Sequence, residues 1–315
     1  MVGPDGPARR RLIFRVRRSN IVLLNELLDL GEEESIFLAE ESLQDLLDLP
    51  VTREIMEEGV DWDRSIELAD IGIALHLASP EDFWLLLTDR YCRERILMNA
   101  ADRFGSEATK RIMVDESAFL RALVEYYAIS MKDELLCESC STADELHYAE
   151  DRITRLVDLL KPNFSCSDEP ILEICCGNGL ATQALIRLGL DPLAMDSDRC
   201  ELCIALKKGL MNPQRSFVLD ARLLPRYFSG RPFHSVLGFM VGLIDDSNWP
   251  LWREILLAAA SLAEKELLFT VYSQKEADLI AKEMGKAGWR GEVIDNQDSR
   301  GIYDQWVYKG SRQSL

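Results

Sequence analysis

The residues with the clearest chemical content are Glu173-Ile174-Cys175-Cys176-Gly177-Asn178-Gly179. They follow an apolar run that reads as a strand and precede a segment that reads as a helix. Glycines at a strand-to-helix turn let the backbone bend through conformations that a side chain would forbid. They also let a ligand approach the main chain closely. Two more acids stand in matching places: Asp196 after Leu193-Ala194-Met195, and Asp220 within Leu219-Asp220-Ala221. Three carboxylates that converge on one crevice repel each other unless a ligand uses them. Taken singly, Glu173 reads as a solvated strand-end acid, and Asp196 and Asp220 as helix N-caps.

Convergence requires that the strands bearing these acids lie side by side. The second half of the chain has that organisation. A helix opens at Ser141 or Thr142 and is stopped by Lys161-Pro162. Strands are then expected over 171–175, 192–195, 216–219, 234–240, 266–272, 291–294 and 305–308. Helices are expected over 180–188, 199–206, 249–263 and 273–287, with a short segment at 223–228. Strands alternating with helices imply a parallel sheet with right-handed crossovers. Ligands on such a sheet bind at the carboxyl ends of the strands, where the winding reverses.

The first half reads differently, with few glycines and helix-like spacing over 20–30, 34–49, 52–56, 63–77, 79–99, 106–111 and 115–131. Ser79-Pro80-Glu81-Asp82 would supply an N-cap, a proline at the first helical position and early acids. The predicted architecture is α/β. A doubly wound, mostly parallel seven-stranded sheet occupies 141–315, behind an acidic all-helical domain over 1–140 that covers the acceptor pocket or docks a partner.

The ordered motifs over 171–240 and the closing strand pair resemble the class I S-adenosylmethionine-dependent methyltransferases, with a Rossmann-like fold. The resemblance implies that Glu173 helps hold the methionine end of the cofactor and that the turn backbone from Cys175 through Gly177, Asn178 and Gly179 packs against it. It implies that Asp196 accepts hydrogen bonds from both ribose hydroxyls, a task suited to the two oxygens of a carboxylate. Asp220 falls where the family reads the adenine amino group, and Phe239 and Met240 end the strand where cofactor and substrate meet. Ser197 and Ala221, next to the two acids, complete the expected cofactor-binding set. The family usually has glycine where this chain has Cys175, and a thiol there narrows the pocket.

The resemblance implies an enzyme that transfers the methyl group of S-adenosylmethionine by direct displacement, leaving S-adenosylhomocysteine. Alignment of nucleophile, methyl carbon and leaving sulfur supplies most of the acceleration. The strand-four end, Gly238-Phe239-Met240-Val241-Gly242, lacks the Asn/Asp-Pro-Pro-Tyr pattern of enzymes that methylate amide or exocyclic amino nitrogens. No base is visible and no catalytic residue is assigned; the acceptor is a small molecule or a protein side chain. A nicotinamide dinucleotide would want G-x-G-x-x-G, but Thr182 stands where the third glycine belongs.

Charge narrows the partners. The first 18 residues carry six Arg and one Asp, residues 19–144 ten basic and 29 acidic side chains, and the whole chain a net charge of −18. Such a surface repels phosphate backbones, which argues against nucleic acid. No stretch approaches the roughly 20 apolar residues that span a bilayer. The arginine-rich start, with no long apolar core after it, is not expected to be a secretory signal, so the cytoplasm is the expected compartment.

Two cysteine pairs have CxxC spacing, Cys137/Cys140 and Cys200/Cys203. Two such pairs can make a tetrahedral metal site, but the second lies in a helical pattern, and no metal is expected. His147 and Tyr148 precede the cofactor fold on a helix that the family lays over the cofactor, although packing roles are the plainer reading. His76 reads as a core histidine within a helix, His234 as structural, and Phe83-Trp84-Leu85-Leu86-Leu87 as core. Asp245-Asp246 reads as a loop capping the next helix rather than a metal pair. Two other functions fit the sequence: a non-catalytic cofactor- or partner-binding protein on the same fold, and a cysteine-ligated metal or redox protein.

Overall fold

The computed structural model describes residues 23–79, 82–97, 110–133, 146–164 and 169–312, with only the helical backbone given for 146–149. The N-terminal part begins with α1 (Leu23–Leu28), β1 (Ile36–Leu38) and α2 (Pro50–Glu58). Strands β2 (Arg64–Leu68), β3 (Gly72–Leu77), β4 (Phe83–Thr88) and β5 (Lys110–Ile112) follow, and α3 (Glu116–Asp133) closes it. The five strands form one mixed sheet in the order β1-β4-β3-β2-β5.

That sheet corrects the expectation of an all-helical first half. Residues 63–77 form the β2–β3 hairpin, and the segment expected as a helix over 79–99 contains β4. The cause lies in burial. Every residue of β4 is buried, because the strand sits between β1 and β3 with both faces covered. A strand buried on both faces reads as a continuous apolar run, which periodicity cannot separate from a buried helix. Pro50 starts α2 rather than only ending what precedes it, as its fixed φ and missing N–H permit. The helices expected over 20–30, 52–56 and 115–131 appear, within the described residues, as α1, α2 and α3, whereas the one expected over 34–49 gives β1 and a single 3-10 turn at Asp45–Leu47. The cap at Pro80-Glu81 lies outside the described residues.

The second part follows the expected alternation. Helix α4 (Leu146–Asn163) leads into β6 (Ile171–Ile174), α5 (Leu180–Arg187), β7 (Leu193–Asp196), α6 (Arg199–Lys207) and β8 (Ser216–Val218). The chain then forms α7 (Leu224–Tyr227), β9 (Phe233–Gly238), α8 (Trp249–Ser261), β10 (Ala263–Val271), α9 (Gln274–Lys286), β11 (Arg290–Asp295) and β12 (Trp306–Ser311). The seven strands lie in the order β11-β12-β10-β9-β6-β7-β8. All neighbours are parallel except β12, which runs antiparallel to β10 and β11. The winding runs outward from β6 through β7 to β8, then returns to β9 on the other side of β6. The switch point therefore falls beside the carboxyl end of β6.

Local chemistry sets the helix starts. Asp198 accepts from the amides of Cys200 and Glu201 and caps α6. Ser273 and Glu276 form a reciprocal capping box at α9. Glu276 also takes the amide of Ile244 at 2.8 Å, which ties the loop after β9 to this helix.

Helix α3 serves both parts. Phe119 and Leu123 share a core with Leu24, Leu86, Phe217 and Leu224. Farther along, Ala128 and Met131 pack with Ala194, Cys203 and Leu206 under α6. No helix among the described residues is long and apolar enough to cross a membrane.

Candidate functional site

Glu173 sits in β6, between β9 and β7, and is fully buried. It shares a sheet face with Ile171, toward α4 and α5. Thr182 of α5 donates to its Oε2 at 2.8 Å. The other oxygen, Oε1, is buried with no hydrogen-bond partner. Burial pushes the carboxyl up to about 8, against the Thr182 hydrogen bond and the charge of Arg152; the charge of Asp196 adds to the rise.

The turn after β6 is built on positive φ angles. Cys175 lies at 54°, Gly177 at 52° and Gly179 at 82°. Cys175 thus holds a left-handed backbone that favours glycine, at a cost of order 1 kcal/mol. Its thiol is pushed well above the usual range by burial and by the charges of Asp196, Glu173 and Asp220. The two glycines differ in purpose. A Cβ on Gly179 would meet Met211 at 2.9 Å, whereas one on Gly177 would project into open space.

Asp196 ends β7 and is half-buried. Its Oδ2 accepts the Gly177 amide and its Oδ1 the Asp198 amide, both at 2.8 Å. The N-cap of α6 is Asp198, not Asp196. Asp220, just past β8, caps the 3-10 turn Ala221–Leu223 through the Arg222 amide. Its carboxylate is gripped by the Arg222 guanidinium, which holds it below the usual carboxylate range.

Of the remaining predicted residues, Asn178 and Ser197 are exposed in the two turns, and Ala221 is buried. Phe239 is buried in the apolar cluster with Leu156 and Leu160 of α4. Met240, the next residue, lies at φ 53°.

A second cluster joins the carboxyl ends of β9 and β10 to the β11–β12 loop. Thr270 Oγ1 accepts from the Met240 amide at 2.7 Å and donates to Asp304 Oδ1 at 2.6 Å. Arg152 of α4 donates from Nε to Asp304 Oδ2 at 2.9 Å, and its guanidinium lies 5.2 Å from the Tyr303 ring centroid. Sequence reasoning passed over Thr182, Arg152, Thr270 and Asp304. Only Thr182 carried a local signal, since it fills the third slot of the glycine pattern.

His76 is on strand β3 rather than in a helix. It is buried, with Nδ1 2.6 Å from Asp63 and Nε2 2.7 Å from Asp82. His234 Nδ1 lies 2.8 Å from Ser235 Oγ. Asp245 Oδ1 accepts the amides of Ser247 and Asn248 just before α8. Cys200 is exposed and Cys203 buried on α6, and the described residues hold no cluster fit for a metal. Cys137, Cys140 and the side chains of His147 and Tyr148 lie outside the described residues.

The strand order, the switch point and the closing antiparallel hairpin give the second part a methyltransferase-like fold of the class I, Rossmann-like kind. No protein-family model matches the chain, and no curated protein matches it. Among solved structures, it is similar to magnesium protoporphyrin IX methyltransferase from Synechocystis PCC 6803 with bound SAM, at 13% identity and a TM-score of 0.42, over 64% of this chain and 98% of that one. It is also similar to a SAM-dependent methyltransferase from Archaeoglobus fulgidus, at 12% identity and a TM-score of 0.40, over 52% of this chain and 94% of that one. A ribosomal protein L11 methylase from Lactobacillus delbrueckii subsp. bulgaricus aligns at 12% identity and a TM-score of 0.39, over 52% of this chain and 79% of that one.

Proposed function

We propose that the chain is an S-adenosylmethionine-dependent methyltransferase. The observation that carries this reading is the tie of the turn after β6 to Asp196 at the switch point, where the Gly177 amide donates to Asp196 Oδ2, together with the buried Glu173 Oε1 left without a partner. A buried Glu173 oxygen with no partner would accept from the ammonium group of a methionine moiety, whose positive charge would favour loss of the proton that the free chain holds there. Asp196 keeps acceptor capacity for two hydroxyls, since each oxygen takes only one amide from the protein. The open space over Gly177 leaves room for the body of the ligand against the main chain. When bound, S-adenosylmethionine supplies an electrophilic methyl carbon on a sulfonium.

The chain's own residues bind and align. Asp196 fixes the first turn against the second strand, and Thr182 orients Glu173. Residues 141–315 would carry this site, while the acidic residues before them dock a partner or cover the acceptor. The acceptor would be a small molecule or a protein side chain met in the cytoplasm, without nucleic acid. Calorimetry of S-adenosylhomocysteine on the full chain tests the reading: specific binding that Asp196→Ala abolishes supports it, and no binding to the wild-type chain ends it. Turnover then separates an enzyme from a non-catalytic binder.

A further inference from the structure

The acids at the carboxyl end of the sheet are not equally open. Glu173 stands in β6, Asp196 ends β7 and Asp220 lies just past β8, and these three strands are neighbours in that order. Neighbouring strands lie about 4.8 Å apart, so the row of acids spans about 10 Å. A ligand with its ammonium group at Glu173 and its ribose at Asp196 carries its base on toward the third acid. Each oxygen of Asp196 takes a single protein amide. Asp220 is in the opposite condition.

Arg222 fills Asp220 from two positions along the chain. Its amide donates to Oδ1 at 2.9 Å, and its Nε lies 3.1 Å from Oδ1 and 3.0 Å from Oδ2. Its Nη2 donates to Oδ2 at 2.5 Å. An ionised carboxylate offers about four lone-pair sites, and these four contacts use them. Asp220 is left with nothing to accept a further N–H, although its side chain is 27% exposed. The grip itself is not sealed. The Arg222 side chain is 44% exposed, and its Nη1 stands 3.5 Å from Oε2 of Glu254 on α8, itself 61% exposed. A guanidinium between two carboxylates at the surface exchanges one for the other at little cost, because exposed ion pairs are weak.

We infer that Arg222 is a gate at the base end of the cofactor site and sets its selectivity for a 6-amino group. This rests on the methyltransferase reading above. In the free chain Arg222 closes Asp220. When a 6-aminopurine enters, Arg222 moves fully onto Glu254, and the freed Asp220 carboxylate accepts from the amino group. A purine without that group leaves the guanidinium where it is. Arg222 thus acts through Asp220 rather than by touching the ligand.

Calorimetry on the full chain tests this with S-adenosylhomocysteine and with its analogue that carries hydrogen in place of the 6-amino group. Arg222→Ala keeps the amide that donates to Asp220. It should bind S-adenosylhomocysteine about three- to fivefold more tightly than the wild type, with no gain for the analogue. Glu254→Gln, which takes the charge from the second seat, should weaken S-adenosylhomocysteine about twofold, and that loss should vanish in the Arg222→Ala background. An Arg222→Ala affinity equal to or weaker than that of the wild type would overturn the inference, as would the same gain for both ligands. So would a Glu254→Gln loss that is absent from the wild-type background or that persists without Arg222. A wild type that binds neither ligand would instead remove the underlying reading, an outcome visible before any variant is made.

Discussion

The amide of Gly177 donates to Asp196 Oδ2 over 2.8 Å, so the first strand's turn is tied to the tip of the second strand by a carboxylate that still has lone pairs to offer. Asp196 is thus both a brace for the turn and the group proposed to meet the ribose.

These two roles separate on substitution. Asp196→Asn keeps an oxygen for one amide but loses the charge and the second acceptor. We expect S-adenosylhomocysteine affinity to fall about tenfold or more by calorimetry, with a loss of stability of only about 1 kcal/mol by chemical denaturation.

Glu173 predicts a pH dependence of stability. Its carboxyl is raised from the ordinary 4.5 to about 8 by burial. The folded chain therefore holds a proton, between these values, that the unfolded chain has released. The stability contribution is full below about 4.5 and is lost as the pH rises through about 8. Glu173→Gln removes the dependence. Denaturation midpoints should show the variant gaining on the wild type near pH 9 and not near pH 4, and equal gains at both would contradict the assignment.

The two glycines of the turn should fail in different ways. Gly179→Ala drives a Cβ to 2.9 Å from Met211 at φ 82° and should cost about 2 kcal/mol of stability. Gly177→Val meets no protein atom beside its Cβ, so its folding cost stays near that of the positive φ. Its effect should appear as lost S-adenosylhomocysteine affinity. Thermal melts with and without the ligand separate the two.

The Arg152–Asp304 pair is nearly sealed, with side chains 15% and 4% exposed. Arg152→Leu leaves the Asp304 charge buried without its cation and should destabilise by about 3 kcal/mol. It also removes the positive charge that opposes the rise at Glu173, so the Glu173 carboxyl should move higher still. Infrared titration of the buried carboxyl checks the second effect, which a purely structural role for Arg152 would not produce.

How much of this was legible beforehand depended on whether the signal was local. The strand-turn-helix at Glu173 to Leu180 announces itself within a few positions of sequence. So do the three strand-end acids. The β2–β4 region does not: Phe83 through Thr88 is apolar throughout because it is buried on both faces, and nothing along the chain distinguishes that from a core helix. The knot at Asp304 was equally silent, since Arg152 and Thr270 come to it from 152 and 34 residues away. Phe239 shows the limit within the site itself: expected to end the strand beside the cofactor, it falls just past β9, and its side chain belongs to the core under α4.

Helix α3 gives one flank to the N-terminal sheet and another to α6. A cut made behind it, at the compositional break near residue 140, would deliver a fragment lacking a wall of its own hydrophobic interior. Expressed alone, residues 141–315 should be sticky and unable to remain monodisperse on size exclusion, whereas a start ahead of Glu116 should restore a well-behaved particle. Anyone grafting or splitting this protein inherits that debt: the smallest transferable piece begins one helix earlier than composition alone suggests.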